Sequence, residues 1–134
     1  MDDALWDLSE HVVGAMIHVH RQLGPGLLES TYQACLAEEL TYRSIKFQRQ
    51  SPINLAYRNT TVECAYFADF VVEDALLIEL KSVEALQPIH VAQVLTYLKL
   101  TQLDVALLAN FNAVTLRKGL RRITRRNERI ESPE

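Results

Sequence analysis

Apolar residues near the start of the chain recur at intervals of three and four positions, as they do along one face of a helix. The stripe consists of Leu5, Leu8, Val12, Ala15, Met16, Val19 and Leu23. It predicts an amphipathic helix over residues 4–22, which the segment "GPG" at 24–26 ends. A second stripe predicts a helix from 27 to 43, with Glu29 in its first turn, where the helix dipole mildly favours a carboxylate.

Polar and apolar positions then alternate, which is typical of β-strands. Turn signals at Arg58-Asn59 and at Glu73-Asp74 divide this part of the chain into three extended segments, residues 45–59, 60–73 and 75–83. Because the connections between the segments are short, we expect the three strands to pair as an antiparallel meander.

The second half of the chain returns to helical spacing and ends in further strands. Pro88 favours a helix start, and the pattern after it predicts a helix over 89–102. The compact apolar run at 103–111 predicts a strand in the middle of the sheet, and 114–123 predicts an edge strand. No repeat, low-complexity stretch or linker interrupts the sequence, which predicts a single domain over 1–134.

The hairpin predicted around Glu73-Asp74 carries charged residues inside its apolar runs. If the turn is centred near Asp74, Asp69 and Glu79 lie opposite each other, and Lys81 follows on the same face as Glu79. Opposed carboxylates repel unless a cation or a shared proton neutralises them. Mg²⁺ is commonly held by one or two carboxylates with water and substrate phosphate. The sequence therefore predicts either such a metal site or a surface ion pair between Lys81 and one acid.

Charge is distributed unevenly along the chain. The net charge of −3 gives no global attraction to nucleic acid. The segment from 117 to 129, however, has a single acid and seven cations, which are Arg117, Lys118, Arg121, Arg122, Arg125, Arg126 and Arg129. This segment is interpreted either as a local patch that binds nucleic-acid phosphates or as a solvated terminal strand.

Composition excludes several classes of protein. The chain has two cysteines, Cys35 and Cys64, in neither a CxxC motif nor a Cys/His metal spacing, and two are too few for a four-cysteine iron–sulfur cluster. The apolar runs are shorter than the roughly 18 residues of a membrane span. The N-terminus is acidic where a signal peptide is basic, so a cytoplasmic location is expected.

One motif connects the chain to a known family. The segment "GLLESTY" at 26–32 matches Gly-x-x-Glu-x-x-Tyr, and the chain resembles the GxxExxY protein family through this motif and through "ADFVVED", "IELKSVEAL", "HVAQVLTYLKLT" and "LANFN". The resemblance covers about residues 9–124. The family resembles a compact branch of the PD-(D/E)XK nuclease superfamily. This resemblance implies an α/β (α+β) fold with helices packed on a central mixed sheet of four to five strands.

The resemblance also implies a catalytic site. Asp69 corresponds to the metal-binding aspartate of the superfamily, and Glu79 and Lys81 correspond to its E-x-K element. Glu29 is similar to the helix-borne glutamate that completes such sites, either by supporting the ion or by binding a second one. The main-chain carbonyl of Leu80 would join Asp69 and Glu79 in holding Mg²⁺ or Mn²⁺.

Further residues are assigned to substrate positioning. Gln93 and Tyr97 match a Q-x-x-x-Y element of several nuclease branches, and helical spacing places His90 on the same face. His90 is interpreted either as a phosphate contact or as a surface residue at the helix start.

The function expected from this resemblance is Mg²⁺-dependent phosphodiester hydrolysis of DNA or RNA. The alternative is a catalytically inactive module with the nuclease fold that binds nucleic acid, a nucleotide or a protein partner. No membrane partner is expected, and the sequence leaves open whether the chain forms a homo-oligomer.

Overall fold

The computed structural model describes residues 2–125 and 129–131. Its three α-helices are α1 (Asp3–Leu23), α2 (Glu29–Tyr42) and α3 (Pro88–Thr101). The Asp2 side chain caps α1 by accepting a hydrogen bond from the Leu5 N–H at 2.7 Å. Gly24, with a φ of 72°, ends α1 in a conformation that favours glycine. The three predicted helices are therefore confirmed, with ends that differ by up to two residues.

Within the described residues, six strands form one sheet. In chain order they are β1 (Phe47–Tyr57), β2 (Thr60–Val72), β3 (Leu76–Lys81), β4 (Val105–Asn110), β5 (Leu120–Thr124) and β6 (Arg129–Glu131). They also lie in this order across the sheet, and every neighbouring pair is antiparallel except β3 with β4, which is parallel. The predicted α/β fold with a mixed sheet of four to five strands is confirmed, and the three-residue β6 extends that sheet.

The prediction of an edge strand at 114–123 needs correction. A 3₁₀ turn occupies Leu116–Gly119, so the strand begins only at Leu120. A β-carbon at Gly119 would collide with the carbonyl of Asn110, which shows how closely this turn packs on the end of β4. Strand β5 is not at the edge, because β6 pairs with its outer side.

The helices cover both faces of the sheet. Alternate residues of the central strands, such as Phe70, Ile78 and Leu107, pack with α1 and α2. The residues between them, such as Leu77 and Leu108, pack with α3. Because β3 and β4 are buried on both faces, they appear in the sequence as largely apolar runs, which Glu79 and Lys81 interrupt at the end of β3. Within residues 2–125, no helix combines the length and the apolar character needed to cross a bilayer.

The turn between β2 and β3 sets the register of the hairpin. Its central residues, Glu73 and Asp74, have φ values of 52° and 55°, and the Ala75 N–H donates to the Val72 carbonyl at 3.0 Å. Two consecutive left-handed residues are typical of a type I′ turn, whose twist matches that of the strands. The turn pairs Val72 with Leu76, which lie three positions from Asp69 on β2 and from Glu79 on β3.

Candidate active site

Asp69 and Glu79 lie where the ladder between β2 and β3 ends. The last backbone pair before them is Phe70 with Ile78. Beyond it, the Asp69 N–H donates to Glu79 Oε1 at 2.8 Å, and the Leu80 N–H donates to Asp69 Oδ2 at 2.8 Å. Each carboxylate therefore replaces a strand carbonyl as the acceptor of a backbone N–H. This reciprocal arrangement holds both side chains in fixed positions.

Burial and mutual repulsion act on both acids. Asp69 is 7% exposed and Glu79 is 5% exposed. Burial, followed by the charge of Asp69, raises the pKa of Glu79 to about 8, against the opposing effects of the Asp69 N–H and the charge of Lys81. Burial also raises the pKa of Asp69. In the metal-free protein, burial and mutual repulsion therefore favour a proton on this pair at neutral pH.

Glu29 and Lys81 join this pair from α2 and from the end of β3. Burial raises the pKa of Glu29, the charge of Asp69 raises it further, and the charge of Lys81 lowers it. The structure thus brings three carboxyl groups and one amine within electrostatic reach of one another. The β3 chain is fixed beside them, because the Lys81 carbonyl accepts from the Phe111 N–H at 2.8 Å.

The glycine and tyrosine of the "GLLESTY" motif position Glu29 through the backbone. Gly26 has a φ of 95°, which favours glycine. The Tyr32 hydroxyl donates to the Gly24 carbonyl at 2.6 Å and accepts from the Leu27 N–H at 3.1 Å. Tyr32 is fully buried, so these bonds fix the loop that leads into α2. The spacing of the motif is therefore explained by the loop that it holds.

Two glutamines beside the acids were missed by the sequence interpretation. Gln50 lies opposite Asp69 on β1 with a φ of 53°, and its side chain donates to Gln33 Oε1 at 2.8 Å. Burial raises the pKa of Asp69, whereas hydrogen bonds from the Leu80 N–H and the Gln50 side chain lower it. Gln33 lies one helical turn after Glu29. The two glutamines therefore connect the helix that bears Glu29 with the strand that bears Asp69.

We expect Gln50→Ala to weaken Mn²⁺ binding by about 10–100-fold, the usual cost of removing a group that orients a metal ligand. Gln48→Ala is the matched control, since Gln48 is an exposed glutamine on the same strand. Calorimetric titration of both folded variants measures the difference. Equal affinities in Gln50→Ala and Gln48→Ala would contradict the assignment of Gln50.

Tyr97 belongs to α3, which covers the face of the sheet opposite α1 and α2, and it lies within electrostatic reach of the acids. Burial raises the pKa of Tyr97 to about 12, with further contributions from Glu79, Tyr66 and Asp69. Gln93 and His90 line a groove together with Tyr97. The His90 ring also caps α3, because its Nδ1 accepts from the Gln87 N–H at 2.9 Å.

The predicted basic patch is divided by the structure. Arg122 is 1% exposed, donates to Glu10 Oε1 at 2.6 Å and lies 4.2 Å above the ring of Trp6. Alternation along β5 places Arg122 on the face covered by α1. Its interpretation as a nucleic-acid contact is therefore corrected to an ion pair between the buried Arg122 and the half-exposed Glu10. Arg125 donates to Asp104 at 3.0 Å and to backbone carbonyls.

The remaining basic residues lie around the 3₁₀ turn. Arg117 and Lys118 are exposed, and Arg121 donates to the carbonyls of Lys118 and Leu120 at 3.2 and 2.9 Å. Arg126 lies outside the described residues. Among the patch residues whose side chains the structure describes, Arg117 and Lys118 are therefore the exposed ones.

The donor set at the acids fits a hard divalent ion. Asp69 and Glu79 supply carboxylate oxygens, and each carboxylate keeps acceptor capacity beyond its backbone bond. In an extended strand a residue's N–H and C=O point to the same side, so the Leu80 carbonyl also faces β2. Across residues 2–125, no group of three or more His, Cys, Asp or Glu side chains is arranged to hold a metal. The fit therefore rests on two carboxylates and one carbonyl.

These features define a class of protein. A hairpin that brings a buried aspartate to an E-x-K element, flanked by helices on both faces of a mixed sheet, is the arrangement of a PD-(D/E)XK nuclease domain. A model of the PD-(D/E)XK nuclease superfamily matches residues 6–123, and the chain belongs to this superfamily. Membership indicates a nuclease-type function, and such nucleases generally use divalent metal ions. Comparison with curated proteins and with solved structures finds no match.

Proposed function

We propose that this protein is a Mg²⁺- or Mn²⁺-dependent nuclease of the GxxExxY family that hydrolyses phosphodiester bonds in DNA or RNA. The observation that supports this proposal best is the reciprocal pair of hydrogen bonds that holds Asp69 against Glu79. Two buried acids fixed in this way raise each other's energy, and a bound cation would relieve their repulsion.

Asp69, Glu79 and the Leu80 carbonyl would hold the metal, and Glu29 would support it from the first turn of α2. A divalent ion bound there would stabilise charge on the phosphate and make water nucleophilic at neutral pH. The backbone N–H groups of Asp69 and Leu80 hold the two carboxylates between neighbouring strands. Burial of both acids limits competing water and strengthens their electrostatic interactions.

Lys81 would act on the attacking water and the phosphate. Its charge is close enough to influence Glu29, Asp69 and Glu79, so its amine can orient a water held near the same carboxylates. Tyr97, Gln93 and His90 would guide the nucleic-acid backbone from the α3 side. Arg117 and Lys118 are exposed cations that would add attraction to phosphates.

Calorimetric titration of Mn²⁺ tests the proposed metal site. We expect the wild type to bind Mn²⁺ and Asp69→Asn to lose at least about 100-fold in affinity, since a carboxylate ligand is replaced by a neutral amide. The asparagine can still accept the Leu80 N–H, so circular dichroism should show a folded variant. Absence of binding by the folded wild type, both alone and with a short oligonucleotide present, would contradict the proposal.

A further inference from the structure

A groove of about 450 Å³ opens between β2 and the first turns of α3. Tyr66 of β2 forms one wall and the first turns of α3 form the other, and the lining residues are Tyr66, Ile89, His90, Ala92, Gln93, Thr96 and Tyr97. We call it the tyrosine groove. Its volume lies within the range of small-molecule sites, about 300–1,000 Å³.

Two aromatic rings dominate this groove. The Tyr66 and Tyr97 rings are 5.3 Å apart and tilted by 43°. Tyr97 is 5% exposed, whereas Tyr66 is 36% exposed. The buried ring therefore supports one side of the Tyr66 ring, which leaves part of its aromatic surface exposed. A partly exposed ring of this kind is suited to stacking against another flat group.

Hydrogen-bonding groups accompany the rings. Because His90 Nδ1 accepts from the Gln87 N–H, a neutral His90 ring carries its proton on Nε2 and can donate from there. The Gln93 side chain offers both a donor and an acceptor. An aromatic face with an amide and a ring N–H beside it matches the chemistry of a nucleobase, which has a flat surface and polar edges.

The groove also adjoins the acids. Besides the effect of burial, the charges of Glu79 and Asp69 both influence the hydroxyl of Tyr97, which lines the groove. Tyr66 lies on β2 three positions before Asp69, and its ring packs against that of Tyr97, so the strand that bears Asp69 also forms a wall of the groove. A nucleotide whose phosphate lay at the acids would place its base or a neighbouring base within reach of Tyr66.

We propose that the tyrosine groove binds a nucleobase of an unpaired nucleotide, by stacking on Tyr66, next to the phosphate held at Asp69 and Glu79. The position of that phosphate rests on the proposed nuclease function, but base binding does not require cleavage. Bases within a duplex are already stacked on their neighbours, so only an unpaired or extruded base can present its face to a tyrosine. The preferred substrate would then be single-stranded DNA or RNA.

Fluorescence anisotropy with EDTA present tests this inference without cleavage. Three labelled DNA probes are used: a 12-nucleotide single strand, the same strand with its bases removed at the central positions, and the corresponding duplex. The intact single strand and the duplex are also made as RNA. We expect the single strand with bases to bind best. The DNA and RNA probes show which of the two sugars the groove accepts.

Variants at Tyr66 isolate the stacking contribution. We expect Tyr66→Ala to lose about 5–100-fold in affinity for the single strand, the usual effect of removing a stacking ring. Tyr66→Phe keeps the ring and should bind within about twofold of the wild type. Tyr42→Ala is the matched control, because Tyr42 is 82% exposed at the end of α2 and does not line the groove. Circular dichroism checks that each variant is folded.

Several outcomes would overturn the inference. These are unchanged affinity in folded Tyr66→Ala, equal binding of the strand without bases, or equal binding of the duplex. The result is separable from the nuclease proposal. If Tyr66→Ala loses affinity for the strand with bases and the wild type cleaves nothing, base binding in the groove is supported and the nuclease proposal is rejected. If the wild type cleaves nucleic acid and Tyr66→Ala binds with unchanged affinity, the nuclease proposal is supported and base binding in the groove is rejected.

Discussion

Asp69→Asn is expected to lower metal-dependent cleavage of nucleic acid by at least about 10³-fold. A bound metal ion contributes several kcal/mol of transition-state stabilisation, and each 1.36 kcal/mol corresponds to about a tenfold change in rate. The substitution removes the charge of one proposed ligand but keeps an oxygen that can accept the Leu80 N–H. The loss should therefore arise from chemistry and not from unfolding.

The measurement is the rate of cleavage of labelled single-stranded and duplex DNA and RNA with Mg²⁺ or Mn²⁺. Asp104→Asn is the matched control, because Asp104 is an exposed aspartate just before β4, at the opposite end of the sheet. We expect this control to cleave at the wild-type rate. Undiminished cleavage by folded Asp69→Asn would contradict the assignment. A wild type that binds metal but cleaves none of these substrates would instead support a catalytically inactive binding module.

The meeting of Asp69 and Glu79 could be predicted because it depends on local sequence. Glu73-Asp74 forms a tight turn, and in a tight hairpin the position of the turn determines which residues are opposed. The same reasoning could not predict that the two carboxylates would accept backbone N–H groups. That feature depends on the ladder ending at Phe70 and Ile78, which the alternation of polar and apolar residues does not indicate.

Residues brought together by distant parts of the chain were the ones that sequence patterns missed or misassigned. Arg122 was grouped with its basic neighbours, but its partner Glu10 lies 112 positions away on α1. Gln33 lies on α2 and Gln50 lies 17 positions later on β1. The left-handed backbone of Gln50 is also uncommon for a residue with a side chain. The sequence offered a local signal for Gln33 alone, since it lies four positions after Glu29 on the same face of one helix.

The site illustrates how a functional requirement opposes stability. Burial of Asp69 and Glu79 favours a cation between them, yet it also makes the charged pair costly when no cation is bound. The free energy of unfolding should therefore depend on pH in the metal-free protein and should rise when metal is added, and both effects should change when these two residues are substituted. Glu79 is the better residue for this measurement, because its pKa is raised to about 8 and it is 5% exposed.

Glu79→Gln is expected to stabilise the metal-free protein at pH 8.5 while leaving its stability at pH 4 nearly unchanged. The folded pKa of Glu79, about 8, exceeds its ordinary value of 4.5. Below pH 4.5 both the folded and the unfolded wild type bind this proton. As pH rises from 4.5 to 8, the unfolded chain releases the proton first, so the free energy of unfolding falls through this window. Each unit of pKa difference corresponds to about 1.36 kcal/mol, which gives a total on the order of a few kcal/mol.

Glutamine removes this dependence because it does not titrate, and its Oε1 can still accept the Asp69 N–H. Urea unfolding in EDTA at pH 4, 6 and 8.5 measures the effect, and Glu63→Gln, an exposed position on β2, is the matched control. Added Mn²⁺ should raise the stability of the wild type at pH 8.5 but not that of Glu79→Gln, since a ligand stabilises only the state that binds it. Parallel pH dependences of wild type and Glu79→Gln would mean that Glu79 is not the group whose burial opposes folding, and the metal would then have no repulsion to relieve at this position.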